Sequence, residues 1–241
     1  MATEAFYDKQ CTCPHCECNF QTKKIRRGSQ SFVKRDADFC TYFKDPLNNP
    51  ILYTVNVCPT CGFAYSDGFQ PKLFPAAKKL IKENITSKWT AKDFGNTRSF
   101  LESIVSYKLA IYTSILINEA HSVTAGLYLR LAWLYRFQNN WEEEKRFLFL
   151  AVEEYEQSYI HSDYTVGDKE MSEVKILYLI GELYRRVEMY DKSVQYFSRA
   201  VALKDETIEK GIIQFARDQW SLAREENARK RAEEAQLKSN A

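Results

Sequence analysis

Four of the chain's cysteines fall within eight positions. Cys11, Cys13, Cys16 and Cys18 lie in "QCTCPHCECNF", whose centre, Cys13-Pro14-His15-Cys16, spells CPHC. That tetrapeptide suits two chemistries: thiol–disulfide exchange by an acidified thiolate, or half of a thiolate metal site. Exchange needs the motif at the start of a helix, behind a buried strand of a βαβ framework. Only ten residues precede Cys11, with no convincing core strand among them, and "ECNFQTKKIRRGSQ" downstream has no apolar helical stripe. A second tetrapeptide, Cys58-Pro59-Thr60-Cys61, followed by Gly62, supplies the complement. Two Cys-Pro-x-Cys turns offer four thiolates, the donor set of tetrahedral zinc, with iron as the minor alternative. Cys13, Cys16, Cys58 and Cys61 are therefore expected to hold a structural Zn2+. With every position filled by protein, such an ion has no room to activate water, so a non-catalytic role is expected.

The other candidate groups are weaker. Cys11 and Cys18 flank the first motif and are adjacent substitutes for Cys13 or Cys16, while the simplest role of these two and of Cys40 is as small apolar residues. Gly62 suits the left-handed backbone that closes a knuckle, whereas Glu17 in the equivalent place predicts a distorted first turn. Lys23, Lys24, Arg26 and Arg27 follow that turn and would offset the negative charge of a four-thiolate site. With Lys34, Arg35 and an interleaved Phe32, they form a basic stretch with no acid between Glu17 and Asp36, the alternative reading being nucleic-acid contact. Asp36 and Asp38, two apart on a strand, would share a face and serve a metal or acid–base chemistry; pairing with local cations is the favoured reading. His15, His121 and His161 lack partners at a recognisable spacing and are expected at the surface or as caps.

Elements to position these residues divide the chain. All seven cysteines precede Gly62, and residues 1–75 hold nine Lys/Arg against seven Asp/Glu, the whole of the formal net charge of +2. Residues 1–74 are expected to be a small β module, with "SQSFVKRDADF" and the alternating Ile51, Tyr53, Val55 and Val57 of "ILYTVNV" as strands. Pro75 is placed to open a helix in a connector spanning 75–96. From 97 to 224 the period becomes helical. Leu101, Val105, Leu109, Tyr112 and Leu116 mark one apolar stripe with Ile104, Ile111 and Ile115 beside it, followed by two units of tetratricopeptide type 49 residues apart. Leu131-Ala132, Tyr135, Trp141, Leu148 and Ala151 of the first correspond to Ile180-Gly181, Tyr184, Tyr190, Phe197 and Ala200 of the second. A capping helix is expected at about 207–223, and the charged 225–241 should fray. The fold class is thus α+β, mainly α: a zinc-ribbon-like module followed by helical repeats.

Such repeats expose a concave face for a protein or peptide partner. Its candidate positions are Leu129, Trp133, Arg136 and Phe137 in the first unit, and Lys175, Tyr178, Glu182, Arg185 and Arg186 in the second. The expected function is a zinc-stabilised adaptor or scaffold; a redox or acid–base enzyme ranks last. There is no apolar run long enough to cross a bilayer and no leader-like N-terminus, so a cytoplasmic location with reduced thiols is expected and no membrane partner.

The segments "CPHCECNFQTKKIR", "VKRDADFCTYF", "NNPILYTVNVCPTCGFAY" and "SDGF", followed by tetratricopeptide-like helices, resemble a bacterial family known as domain of unknown function 2225. The resemblance covers nearly the whole chain and implies a metal-binding ribbon joined to helical repeats in a cytoplasmic bacterial protein. It implies no activity. Family members more often carry glycine where this chain has Glu17.

Overall fold

The computed structural model describes residues 5–165 and 170–239. Strands β1 (Phe6–Thr12) and β2 (Asn19–Ile25) form an antiparallel hairpin pairing Phe6 with Ile25 and Thr12 with Asn19. The first Cys-Pro-x-Cys is its turn. β2 points Phe20, Thr22 and Ile25 inward, while β1 fully buries only Cys11, which is why its sequence carries so little strand signal. A second hairpin joins β3 (Phe32–Arg35) to β4 (Thr41–Phe43), and a third, shorter one joins β5 (Asn56–Val57) to β6 (Ala64–Tyr65) around the second Cys-Pro-x-Cys.

The strand expected over "ILYTVNV" is mostly something else. Pro50–Tyr53 is a 3-10 turn, started by Pro50 and capped by Asn49, whose side chain accepts from Ile51 N at 3.1 Å. Ile51, Leu52, Tyr53, Val55 and Val57 are buried regardless of parity, so their alternation did not signal a half-exposed strand. The reason is packing on more than one side. Tyr107 Oη and Ser103 Oγ donate to the carbonyls of Ile51 and Leu52, at 3.0 and 3.2 Å. Arg98, almost wholly buried, donates to the carbonyls of Leu52, Val55 and Phe94 and to Thr22 Oγ1. A guanidinium satisfied by carbonyls thus ties β2, this segment and the start of the helices together.

Helix α1 (Pro75–Asn84) opens on its proline as expected. α2 (Phe100–Leu116) starts with a capping box between Ser99 and Glu102. Its buried face is Ile104, Tyr107, Ala110 and Ile111, and the expected stripe is rotated outward: Leu101 is 67% and Tyr112 47% exposed. Serines and Thr113, small enough for close contact, fill the inner face that an apolar count overlooks. Two hairpins follow, α3 (His121–Phe137) with α4 (Trp141–His161), and α5 (Glu173–Arg186) with α6 (Tyr190–Ala202). They are equivalent at the 49-residue offset. Asn139 and Glu188 both take positive φ, and Asn140 N and Met189 N reach back to the carbonyls of Tyr135 and Tyr184 at 3.0 and 2.9 Å. Gly181 admits the Phe197 ring, whose carbons would lie 2.8 Å from a β-carbon there.

α7 (Lys210–Ser239) is one helix through the segment expected to fray. Glu226 pairs with Arg185 at 3.0 Å, and Arg231 with Asp191 at 2.9 Å, so charges that look solvated in sequence hold α7 against α5 and α6. The apolar core is continuous from Cys13, Cys58 and Phe63 into α2, α3, α4 and α5. Among the described residues, no helix is long and apolar enough to cross a membrane.

Candidate metal centre

The two Cys-Pro-x-Cys turns have the same backbone. Cys13 N donates to Cys18 O and Glu17 N to Cys13 O, both at 2.9 Å; Cys58 N donates to Phe63 O and Gly62 N to Cys58 O, both at 3.0 Å. Glu17 adopts φ +63°, matching +76° at Gly62, so the first knuckle is not distorted. A left-handed non-glycine residue costs roughly 1–2 kcal/mol, and the exposed Glu17 side chain reaches Lys78 at 3.5 Å. Gly62 answers to a second demand. Trp89 lies over it, with ring carbons 2.5 Å from where a β-carbon would sit, and its Nε1 donates to Pro59 O at 2.8 Å. Thr86 Oγ1 adds a bond to Cys61 O at 3.2 Å. The chain after α1 therefore clamps the second knuckle.

The hairpin tips bring four sulfurs together. Cys13 Sγ lies 3.6 Å from Cys61 Sγ, Cys16 Sγ lies 3.6 Å from Cys58 Sγ, and all four fall within 4.8 Å of one another. These separations far exceed the roughly 2.0 Å of a disulfide. They match the roughly 3.8 Å edge of a tetrahedron with metal–sulfur bonds of about 2.3 Å. The four cysteines are thus positioned to hold a metal ion, and no Lys or Arg hydrogen-bonds to them among the described residues. Contact with Cys61 and turn N–H groups hold the Cys13 thiol down at about 5, the same contact pushes Cys61 up, and burial raises Cys58 to about 11. Four thiols this close ionise together only with an added cation.

The remaining cysteines stand outside this set. Cys11 is buried in β1; Cys18 Sγ accepts from Thr60 Oγ1 at 3.2 Å, linking one knuckle to the other. Burial drives the Cys40 thiol up to about 12, so it stays protonated. His15 is half-buried against Phe63, its Nε2 3.3 Å from Thr86 Oγ1, and burial lowers its pKa. His121 Nδ1 pairs with Glu154 at 2.7 Å and its ring stacks on His161, so these two histidines are partnered after all.

Asp36 and Asp38 do have a converging constellation, and it comes from the helices. The β3–β4 tip places Phe39 at φ +69°, and Asp38 Oδ1 accepts from Cys40 N at 3.3 Å. Asp38 is wholly buried and takes Arg136 at 2.6 and 3.1 Å, Trp133 Nε1 at 3.0 Å and Arg186 at 3.5 Å. Asp36 binds Arg136 at 3.0 Å and Tyr42 Oη at 2.9 Å. Burial raises the Asp38 carboxyl, but the Arg136 hydrogen bonds and charge, with Arg186, outweigh it and leave the pKa below its ordinary value of 3.8. Tyr178 Oη donates to Ala37 O at 2.7 Å, the Tyr178 ring meets Phe39 at 5.5 Å, and Lys175 Nζ lies over the Phe39 ring at 5.8 Å. The ladder continues from Arg186 to the buried Glu182 at 2.7 Å, then to Arg185 at 2.8 Å and Glu226.

The concave face read from the sequence is therefore not open. Trp133, Arg136, Lys175, Tyr178 and Arg186 meet the chain's own Asp36–Cys40 loop, and Glu182 and Arg185 lie in the ladder behind it. Of the basic stretch, Lys23 pairs with Asp8 at 2.8 Å and the half-buried Lys24 donates to Tyr53 O, desolvation lowering its pKa to about 8. Arg26 lies over Tyr7, Lys34 reaches Asp36 and Tyr42, and Arg35 reaches Thr41 Oγ1. Only Arg27 has no such contact among the described residues, so this stretch is engaged within the chain. Sequence reading missed Arg98, Trp89 and the Asp38–Arg136 contact; the one available signal was the acidic Asp36-Ala37-Asp38 beside a helical face carrying three arginines.

Fold and site together define a mainly α protein whose small β module carries four cysteines positioned to hold a metal ion. The chain belongs to the family described as an uncharacterized protein conserved in bacteria (DUF2225), whose model matches residues 6–223. Comparison with curated proteins and with solved structures returns no match.

Proposed function

We propose that this is a zinc-stabilised, non-catalytic interaction protein of the cytoplasm, whose helical face recognises an extended acidic segment. Supporting zinc in a structural role is a complete set of four thiols at tetrahedral edge distances, which leaves no protein-free coordination position. A reducing compartment leaves such thiols to a metal rather than to disulfides.

The observation that carries the interaction reading is the grip on Asp36–Cys40. The helices bind both its side chains, through Arg136, Trp133 and Arg186, and its main chain, through Tyr178 to Ala37 O. That combination is how helical grooves hold peptides. A partner with an acidic-x-acidic-aromatic segment would compete with the loop, which serves as its stand-in.

The test uses a fluorescent peptide copying residues 34–42, with Cys40→Ser, and the metal-loaded full chain carrying Asp36→Asn and Asp38→Asn. Saturable binding to this loop-weakened protein, much weaker with the unaltered chain whose groove is filled, is expected. A folded variant that fails to bind the peptide would rule the reading out.

A further inference from the structure

Beside the docked loop, a cavity of about 770 Å³ separates the metal module from the inner faces of α3, α4 and α5. It continues past Phe39, Thr41, Arg130 and Trp133 into a second cavity of about 180 Å³ toward Phe43 and Phe137. The larger volume suits a small organic molecule.

Two polar groups in its wall have hydrogen-bonding capacity that the chain leaves unused. Arg130 donates from Nη1 to Gly126 O at 2.7 Å, and no described carboxylate lies within ion-pair distance of its guanidinium. Every other arginine of the concave face is paired with an acid: Arg136 with Asp38, Arg185 and Arg186 with Glu182. Tyr155 is only 5% exposed, yet its hydroxyl makes no hydrogen bond among the described residues. Both groups face one spot: a β-carbon on Gly126 would lie 2.8 Å from Arg130 Nη1 and 3.8 Å from Tyr155 Oη.

Carboxylates also line this cavity, and two of the four are already paired with cations. Asp38 is neutralised by Arg136 and Asp67 by Lys9 at 3.0 Å, whereas Glu209, which accepts from Ser172, and the exposed Glu170 have no cation partner among the described residues and stand against Arg35, Arg130 and Lys175 in the same lining. Arg130 and Tyr155 bring a guanidinium fork and a phenol that can both donate, and Lys175 lines the same space without an acid partner among the described residues. Phe39, Trp133 and Phe215 supply apolar and aromatic wall.

We propose that this cavity is a binding site for a small organic anion, a carboxylate or phosphate monoester on an apolar or aromatic body, with its anionic head on Arg130 and Tyr155. A half-buried guanidinium takes such a head bidentately, and the phenol adds one charge-assisted bond. The site adjoins the groove filled by the Asp36–Cys40 loop and shares Asp38, Phe39, Trp133 and Lys175 with it, while Arg130 and Tyr155 are not among the residues that hold the loop. Its occupant would touch both the metal module and the helices.

The test is titration of the metal-loaded full chain with phenylacetate, phenyl phosphate and the uncharged benzyl alcohol, followed by calorimetry and by the shift in melting temperature. Saturable binding of at least one anion and at least tenfold weaker binding of the alcohol are expected. The stronger of the two anions identifies the head group as carboxylate or phosphate. Arg130→Gln should weaken that binding tenfold or more, and Tyr155→Phe, which removes a single hydroxyl, by about fivefold, the worth of one hydrogen bond. Benzyl alcohol binding as well as the anions, absence of binding by all three, or an unchanged affinity in a folded Tyr155→Phe protein would overturn the proposal.

Discussion

The N-terminal module gathers acidic groups at two places, and the two solve the same electrostatic problem differently. At the β3–β4 tip, Asp36, Asp38 and Glu144 surround Arg136, each within 3.0 Å of its guanidinium. At the hairpin tips, four thiols meet within 4.8 Å and no side-chain cation hydrogen-bonds to them among the described residues. The first cluster carries its counter-charge in the sequence. The second has room and donors for one from outside. Burying like charges without compensation is too costly for a small module to sustain, so the contrast argues that the thiol cluster is built around a cation in the way the carboxylate cluster is built around Arg136.

Removing the internal cation should give the largest effect. Arg136→Met leaves Asp38 buried without its main partner and should cost about 3–5 kcal/mol, measured by urea unfolding. Asp38→Asn sharpens the point through pH. Because the folded pKa of Asp38 is depressed, its contribution is complete well above the ordinary 3.8 and is lost as pH falls through and below that value. The stability gap between the unaltered chain and Asp38→Asn should therefore close in acid; a gap independent of pH would contradict the assigned ion pair.

Smaller effects distinguish the two knuckles. Gly62→Ala meets both a positive φ and the Trp89 ring, so a loss of about 2 kcal/mol or more is expected, with weakened metal retention. Glu17→Gly relieves the same backbone strain in a place with no such neighbour and should gain roughly 0.5–1 kcal/mol. Equal and opposite changes at the two sites would mean that Trp89 does not clamp the second turn.

Local features of the sequence were legible and distant ones were not. Cys13, Cys16, Cys58 and Cys61 stand out because knuckle spacing is a short-range constraint, and the two helical hairpins because their 49-residue correspondence repeats side by side in the chain. β1 was hidden because Tyr7, Asp8 and Lys9 face outward and the strand buries little. The stripe of α2 was misplaced because Ser103, Ser106 and Ser114 pack inward as tightly as any leucine would. The docking of Asp38 on Arg136 crosses 98 positions of sequence and rests on no periodic pattern. Glu17 misled for a different reason: the turn needs a left-handed residue, and a glutamate can accept that strain when its side chain is solvated.

The central claim, that the thiol cluster is completed by one structural zinc ion, is tested most directly by elemental analysis and visible absorption of the purified, reduced chain. One zinc per chain in a colourless protein, with the β1–β2 hairpin losing hydrogen-exchange protection when a chelator removes it, is the predicted result. A metal-free protein whose hairpins stay equally protected, or a coloured one containing iron, would contradict it.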